Sequence, residues 1–126
     1  MTFHVHSHFF TKAFCCLLLL FGSASSLFAR DRLSGQWDGN LKVQARSLRL
    51  VFHIEQSESG YKATMDSPDQ GVRGIPVATI SLDNKILKMT IPAAGIEYDG
   101  TLKNYSMLSG TFKQNGMSLP LDLNKV

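Results

Sequence analysis

Chemistry-bearing residues gather in one short stretch of this chain. Between Met65 and Val77, Asp66-Ser67-Pro68-Asp69-Gln70-Gly71 is followed by Gly74-Ile75-Pro76. Carboxylates, a hydroxyl and an amide this close together could form part of a catalytic triad, hold a cation, or build a turn. A triad needs its serine on a sharp exposed turn with oxyanion donors beside it. No G-x-S-x-G occurs in the chain, and Pro68, directly after Ser67, has no backbone N–H to offer. His53 is the candidate base, but Asp66 and Asp69 are expected to lack a histidine partner in a working geometry. A calcium loop of the D-x-[DN]-x-[DN]-G order, closed by a glutamate, is not present either. Turn chemistry remains: Asp66, Ser67 and Asp69 can bond nearby backbone, Pro68 fixes φ, and Gly71 and Gly74 adopt conformations closed to other residues. The stretch through Gln70, Gly74 and Pro76 is therefore expected to be a rigid structural connector across one end of the domain.

A second group is aromatic. Trp37, Phe52, Tyr98 and Phe112 fall on the apolar parity of four separate segments, so they are the expected lining of any interior ligand site. Asn104-Tyr105-Ser106 matches a glycosylation sequon, a pattern of low specificity.

These residues must be positioned by strands. From Gln36 onward the apolar period is two, and no window of helical length keeps an apolar stripe. Trp37, Leu41 and Val43 alternate with polar residues, as do Leu48, Leu50, Phe52 and Ile54. Tyr61 to Met65, Ala78 to Leu82, Leu87 to Ile91, Ile96 to Leu102, Leu108 to Phe112 and Met117 to Leu123 continue the pattern. That predicts eight short strands, each with one dry face. Asn115-Gly116 is a strong hairpin signal; Ser59-Gly60, Asp83-Asn84-Lys85 and Pro92-Ala93-Ala94-Gly95 also read as turns. Short connections make consecutive strands antiparallel. The expected fold is all-β, a single eight-stranded antiparallel meander curled into a small closed or nearly closed up-and-down barrel, with a β-sandwich as the alternative. Gly39, Gly100 and Gly110, all on the inward parity, fit bends in such a wall.

The first residues belong to a different class. Lys12 precedes an apolar run from Ala13 to Phe21, and small residues follow to Ala29, the pattern of a secretory signal peptide. Cleavage is expected after Ala24, Ser26 or Ala29; the run is too short for a comfortable membrane span. Residues 1–29 would be the leader and 30–126 one domain of 97 residues, enough for one core. Cys15 and Cys16 lie in the leader, so the mature chain is expected to have no disulfide and no thiolate. His4, His6 and His8 would be lost with it, which leaves His53 alone and rules out a multi-histidine metal site; no cofactor is expected. Twelve basic and ten acidic residues intermingle over 30–126, with no stripe that would bind nucleic acid.

Gly35-Gln36-Trp37 resembles the opening of lipocalin-type barrels, where the indole plugs one end. More broadly, "SGQWDGNL", "LRLVFHIEQSESGYKATMDSPDQGVRGIPV", "IEYDGTL" and "SGTFKQNGMSLPLDL" resemble the non-catalytic N-terminal β-domain that precedes the α/β-hydrolase domain in a group of secreted bacterial serine hydrolases and esterases. The similarity runs from about Leu33 to Leu123. The serine elbow, acid and histidine of the hydrolase domain have no counterparts here, so esterase activity does not carry over. The resemblance implies a periplasmic or extracellular accessory domain, not an enzyme, that binds a small apolar or acylated ligand. The alternatives it implies are an interaction module that docks on a secreted hydrolase and a remnant with a structural role alone.

Overall fold

The structure, a computed structural model, describes residues 31–126. The expected leader, its cleavage sites and both cysteines lie outside the described residues. Leu33–Val126 forms one compact unit. It is all-β: β1 (Gly35–Val43), β2 (Arg46–Ser57), β3 (Gly60–Ser67), β4 (Val72–Pro76), β5 (Thr79–Asp83), β6 (Ile86–Ile91), β7 (Ile96–Asn104), β8 (Met107–Gln114) and β9 (Met117–Lys125). The strands form one antiparallel sheet in the order β4-β3-β2-β1-β9-β8-β7-β6-β5.

The sheet curls because its interior parity is apolar throughout. Leu41, Leu50, Phe52, Met65, Met89, Tyr98, Phe112 and Leu121 are all buried and belong to one cluster. Its two edges, β4 and β5, are consecutive in the chain and meet at Val77 and Ala78. The Val77 N–H donates to Ala63 O of β3 at 3.0 Å, and the next N–H, of Ala78, donates to Thr90 O of β6 at 2.9 Å. The chain thus steps from one edge to the other within a residue, which leaves a nearly closed open barrel. Short edges that face each other are poor templates for a foreign strand.

β4 is the strand that periodicity does not reveal. Val72-Arg73-Gly74-Ile75-Pro76 lies inside the stretch expected to be a connector, and four of its five residues are exposed. It pairs only with β3, where Thr64 faces Pro76 and Met65 faces Ile75. An edge strand has no need of an apolar face, and it tolerates proline and glycine.

Turn chemistry fixes the register. Asn115 and Gly116 have φ of 49° and 88°, and Asn84 has φ of 58°, the left-handed values that tight hairpins demand. Close approach explains two inward glycines. A Cβ on Gly39 would stand 2.5 Å from Asp122 O of β9, and one on Gly110 would stand 2.7 Å from the Tyr98 hydroxyl. Gly100 and Gly110 are paired across β7 and β8, so the two together make a slot for the Tyr98 ring.

One structural device occurs twice. After β3 the chain turns through Pro68–Gln70, a single 3-10 turn closed by Gly71; after β6 it turns through Pro92–Ala94, closed by Gly95. Ser67 and Ile91 enter these corners with φ/ψ of −124°/82° and −131°/81°. Gly71 and Gly95 leave them left-handed, at 71°/22° and 66°/30°. In each corner the glycine N–H donates to the proline carbonyl at 3.0 Å. Met65-x-x-Pro68-x-x-Gly71 and Met89-x-x-Pro92-x-x-Gly95 are the same pattern 24 residues apart.

Candidate functional site

The two ends of the barrel differ. At the end where β1 begins, Trp37 is fully buried beside Leu33. Its Nε1–H donates to Leu33 O at 2.8 Å, and Lys125 Nζ lies 5.3 Å from its ring centroid. Tyr98 is also fully buried and donates its hydroxyl hydrogen to Leu121 O at 2.8 Å. Burial pushes its phenol well above the ordinary value, with the Asp122 charge adding to the effect, so it stays neutral. Phe52 packs against Tyr98 with centroids 6.2 Å apart. Trp37 thus closes the β1 end, and Phe52 and Tyr98 fill the middle of the barrel, Tyr98 standing opposite Phe112. An open, mostly polar-rimmed depression of about 390 Å³ lies outside Gly35, Ile54 and Ala63 at the β1 end.

At the opposite end, both Pro-x-x-Gly corners, the β1–β2 hairpin and the β8–β9 hairpin surround a cavity of about 290 Å³. Leu41, Leu50, Met65, Ile96, Phe112 and Leu119 supply much of its apolar wall. Its polar lining comes from Ser67, Gln70 and Gln114, and among the described residues no charged side chain lines it. Of the four aromatic residues expected at a ligand site, Phe112 lines this cavity, whereas Trp37, Phe52 and Tyr98 lie in the filled interior.

The polar lining follows from strand parity. Met65 and Ser67 point inward and Asp66 points outward, because successive side chains of a strand alternate. Ser67 is buried and donates its hydroxyl hydrogen to Gln70 Oε1 at 2.7 Å. Gln70 is exposed, at the lip of the cavity. Across the mouth, Gln114 Nε2 donates to Ala94 O of the second corner at 3.2 Å, and the Asn115 N–H donates to Gly95 O at 3.1 Å. The β8–β9 hairpin is thereby fastened to that corner.

On the outer face the expectation for Asp66 requires correction. His53 Nε2 lies 2.9 Å from Asp66 Oδ2, so the carboxylate does have a histidine partner. The pairing of β2 with β3 sets Val51 opposite Asp66 and His53 opposite Thr64, which brings the two side chains diagonally together on one face. Asp66 Oδ1 accepts the Gly74 N–H at 2.7 Å, a bond to nearby backbone as expected. That N–H, then the His53 bond, hold the Asp66 carboxyl below its ordinary range, and the Arg73 charge adds to this. Ser67, by contrast, bonds a side chain rather than backbone, and Asp69 Oδ2 accepts the Arg49 N–H of β2 at 2.9 Å. Asp69 thus ties the first corner to the neighbouring strand. Ser67 Oγ faces inward to Gln70 while His53 and Asp66 face outward, so the three side chains do not form a serine–histidine–aspartate relay.

Sequence reasoning did not find the mouth as a site. Gln114, Ala94, Met117 and Leu119 line it from segments with no unusual composition. The signal that could have found it is the repeated Met-x-x-Pro-x-x-Gly spacing, which places two like corners at one end of the barrel. Among the described residues no three His, Cys, Asp or Glu side chains gather as a metal would require. No family model, no curated protein and no solved structure matches the chain.

Proposed function

We propose that this domain is a non-enzymatic, exported binding module that takes a small apolar or acyl-bearing ligand into the mouth cavity. The observation that carries this is the contrast along the barrel: Trp37 closes one end and Tyr98 fills the middle, while an apolar hollow of about 290 Å³ opens at the other end. Ligand sites are typically concave, mostly apolar and marked by a few polar groups, at volumes from about 300 Å³ upward. The mouth stands at the small end of that range and has that composition. Export rests on the apolar run after Lys12, and an accessory role agrees with the resemblance to the β-domain that precedes secreted hydrolases.

A second reading is docking on a secreted hydrolase through the same mouth. It is favoured by Val72 and Met117, which are 40% and 49% exposed on the rim. An apolar side chain of a partner would then occupy the space otherwise taken by a ligand.

The neutral fluorophore N-phenyl-1-naphthylamine tests the first reading. Its emission should rise on adding the purified chain and should fall back in Ala94→Trp, which fills the mouth from the second corner. Unchanged emission in that variant would place apolar binding elsewhere. Turnover of a p-nitrophenyl ester that disappears in Ser67→Ala would overturn the non-enzymatic part.

A further inference from the structure

We infer that the ligand's polar end is neutral and carries both a hydrogen-bond acceptor and a donor, as a secondary amide at the end of an acyl chain does. The inference rests on the mouth being a ligand site and adds the class of molecule that fits it.

The polar atoms left over at the mouth define the head group. Ser67 Oγ–H occupies Gln70 Oε1 and so orients that amide with its Nε2 hydrogens free. Among the described residues nothing else takes those hydrogens. Gln114 is oriented the opposite way: one of its two Nε2 hydrogens goes to Ala94 O, which leaves Oε1 and the other hydrogen. The mouth therefore offers amide donors, mainly from Gln70, and an amide acceptor, from Gln114, above an apolar chamber. A ligand carbonyl matches the first and a ligand N–H matches the second.

Charge selects against the commoner acyl head. Among the described residues no Lys, Arg or His lines the cavity. A carboxylate entering it would lose water without gaining a cation, and an unpaired charge is far more costly to bury than a hydrogen-bonded neutral group. A quaternary ammonium head would find no carboxylate there either. Size limits the chain: at roughly the 30 Å³ that a liquid water molecule occupies, the cavity holds on the order of ten heavy atoms.

The two corners divide the work. The second corner, with Ala94 and with Ile96 behind it, is apolar on its cavity side and holds Gln114 in place through a backbone carbonyl. The first supplies Ser67 and Gln70. The head is therefore gripped between the first corner and the β8–β9 hairpin, and the tail points toward Phe112 and Met65.

The experiment is calorimetric titration of the purified chain with N-methyldecanamide and, separately, decanoate at pH 8. The amide should bind about tenfold more tightly or better, the factor expected for one to two neutral hydrogen bonds. Gln70→Glu keeps an oxygen for the Ser67 hydroxyl, replaces the free donor by an acceptor and adds a negative charge at the lip; it should lower amide affinity by about tenfold. Gln70→Lys supplies a cation at the lip and should turn the preference toward decanoate. Each variant should first be shown folded by its amide NMR spectrum. Decanoate binding as tightly as the amide, or amide affinity unmoved in Gln70→Glu, would overturn the inference while leaving an apolar mouth site in place. Failure of both ligands and of the naphthylamine probe to bind would instead remove the underlying reading, and the inference with it.

Discussion

At Pro68–Gly71 the chain leaves β3 through a proline-led turn that carries Ser67, Asp69 and Gln70. At Pro92–Gly95 it leaves β6 through the same turn, with Ile91, Ala93 and Ala94 at the matching positions. The dihedral angles of the entering residues and closing glycines agree within a few degrees, and the closing bonds have the same length. Nothing in the second corner bonds through a side chain of its own three turn residues. The turn is built by proline at its first position and glycine at its last, so the polar residues of the first corner are not needed to make it. They do three other things. Ser67 and Gln70 face the cavity, Asp69 ties the corner to β2, and Asp66 holds Gly74 of the edge strand and His53 of β2.

The comparison can be broken most sharply at the closing glycines. Gly71→Ala would meet no heavy atom within 4 Å, so its penalty is the left-handed backbone alone, about 1–2 kcal/mol. A Cβ at Gly95 would also meet the amide end of the exposed Asn115 side chain of the β8–β9 hairpin, which must swing aside at a small further cost. Gly95→Ala should therefore be the more damaging in urea unfolding. Equal losses would mean that the Asn115 side chain yields to the new Cβ without cost.

Asp66 and its counterpart Thr90 come next. Asp66→Ala removes a charged acceptor from Gly74 and His53 and should cost about 1.5–3 kcal/mol. Thr90→Ala, which loses only a contact with the exposed Thr79 hydroxyl, should cost less than about 1 kcal/mol. The sign with pH follows from Asp66 being more acidic folded than unfolded. In the acid range the unfolded chain binds the proton first, so stability rises with pH there. Its contribution is complete above the ordinary carboxylate value of about 4 and is lost as pH falls through the lower folded value. Denaturant melts between pH 2 and 6 should show this slope in the native chain and a shallower one in Asp66→Asn. The same slope in both would assign it to other carboxylates.

The smallest effect on stability should come from making the first corner resemble the second. Ser67→Ile with Gln70→Ala copies Ile91 and Ala94 and keeps Pro68 and Gly71. Its melting temperature should stay within a few degrees of the native value, while affinity for N-methyldecanamide falls. A collapse of the fold would show that the Ser67–Gln70 bond does build the turn after all.

The fold was legible because it is written in local terms. Alternation gave the strands from Trp37 to Leu123, and Asn84, Asn115 and Gly116 marked turns where left-handed backbone is required. β4 was hidden because an exposed edge strand imposes no alternation. The site was less legible. The His53–Asp66 pair depends on Phe52 standing opposite Met65, a register that the sequence does not spell out. The aromatic residues drew attention as ligand contacts, yet Trp37 and Tyr98 serve the interior through bonds to Leu33 and Leu121 carbonyls that lie outside any motif. The cavity arises between four connections at one end, and only the repeated Met-x-x-Pro-x-x-Gly spacing marks two of them in the sequence.

The central claim is that ligand enters beside the polar corner and not at the tryptophan end. Amide NMR spectra of the purified chain titrated with N-methyldecanamide test this most directly. Shifts should concentrate at Ser67, Gln70, Ala94 and Gln114, with the Trp37 indole N–H unmoved. Shifts centred on Trp37 and Leu33, with the two corners silent, would contradict it.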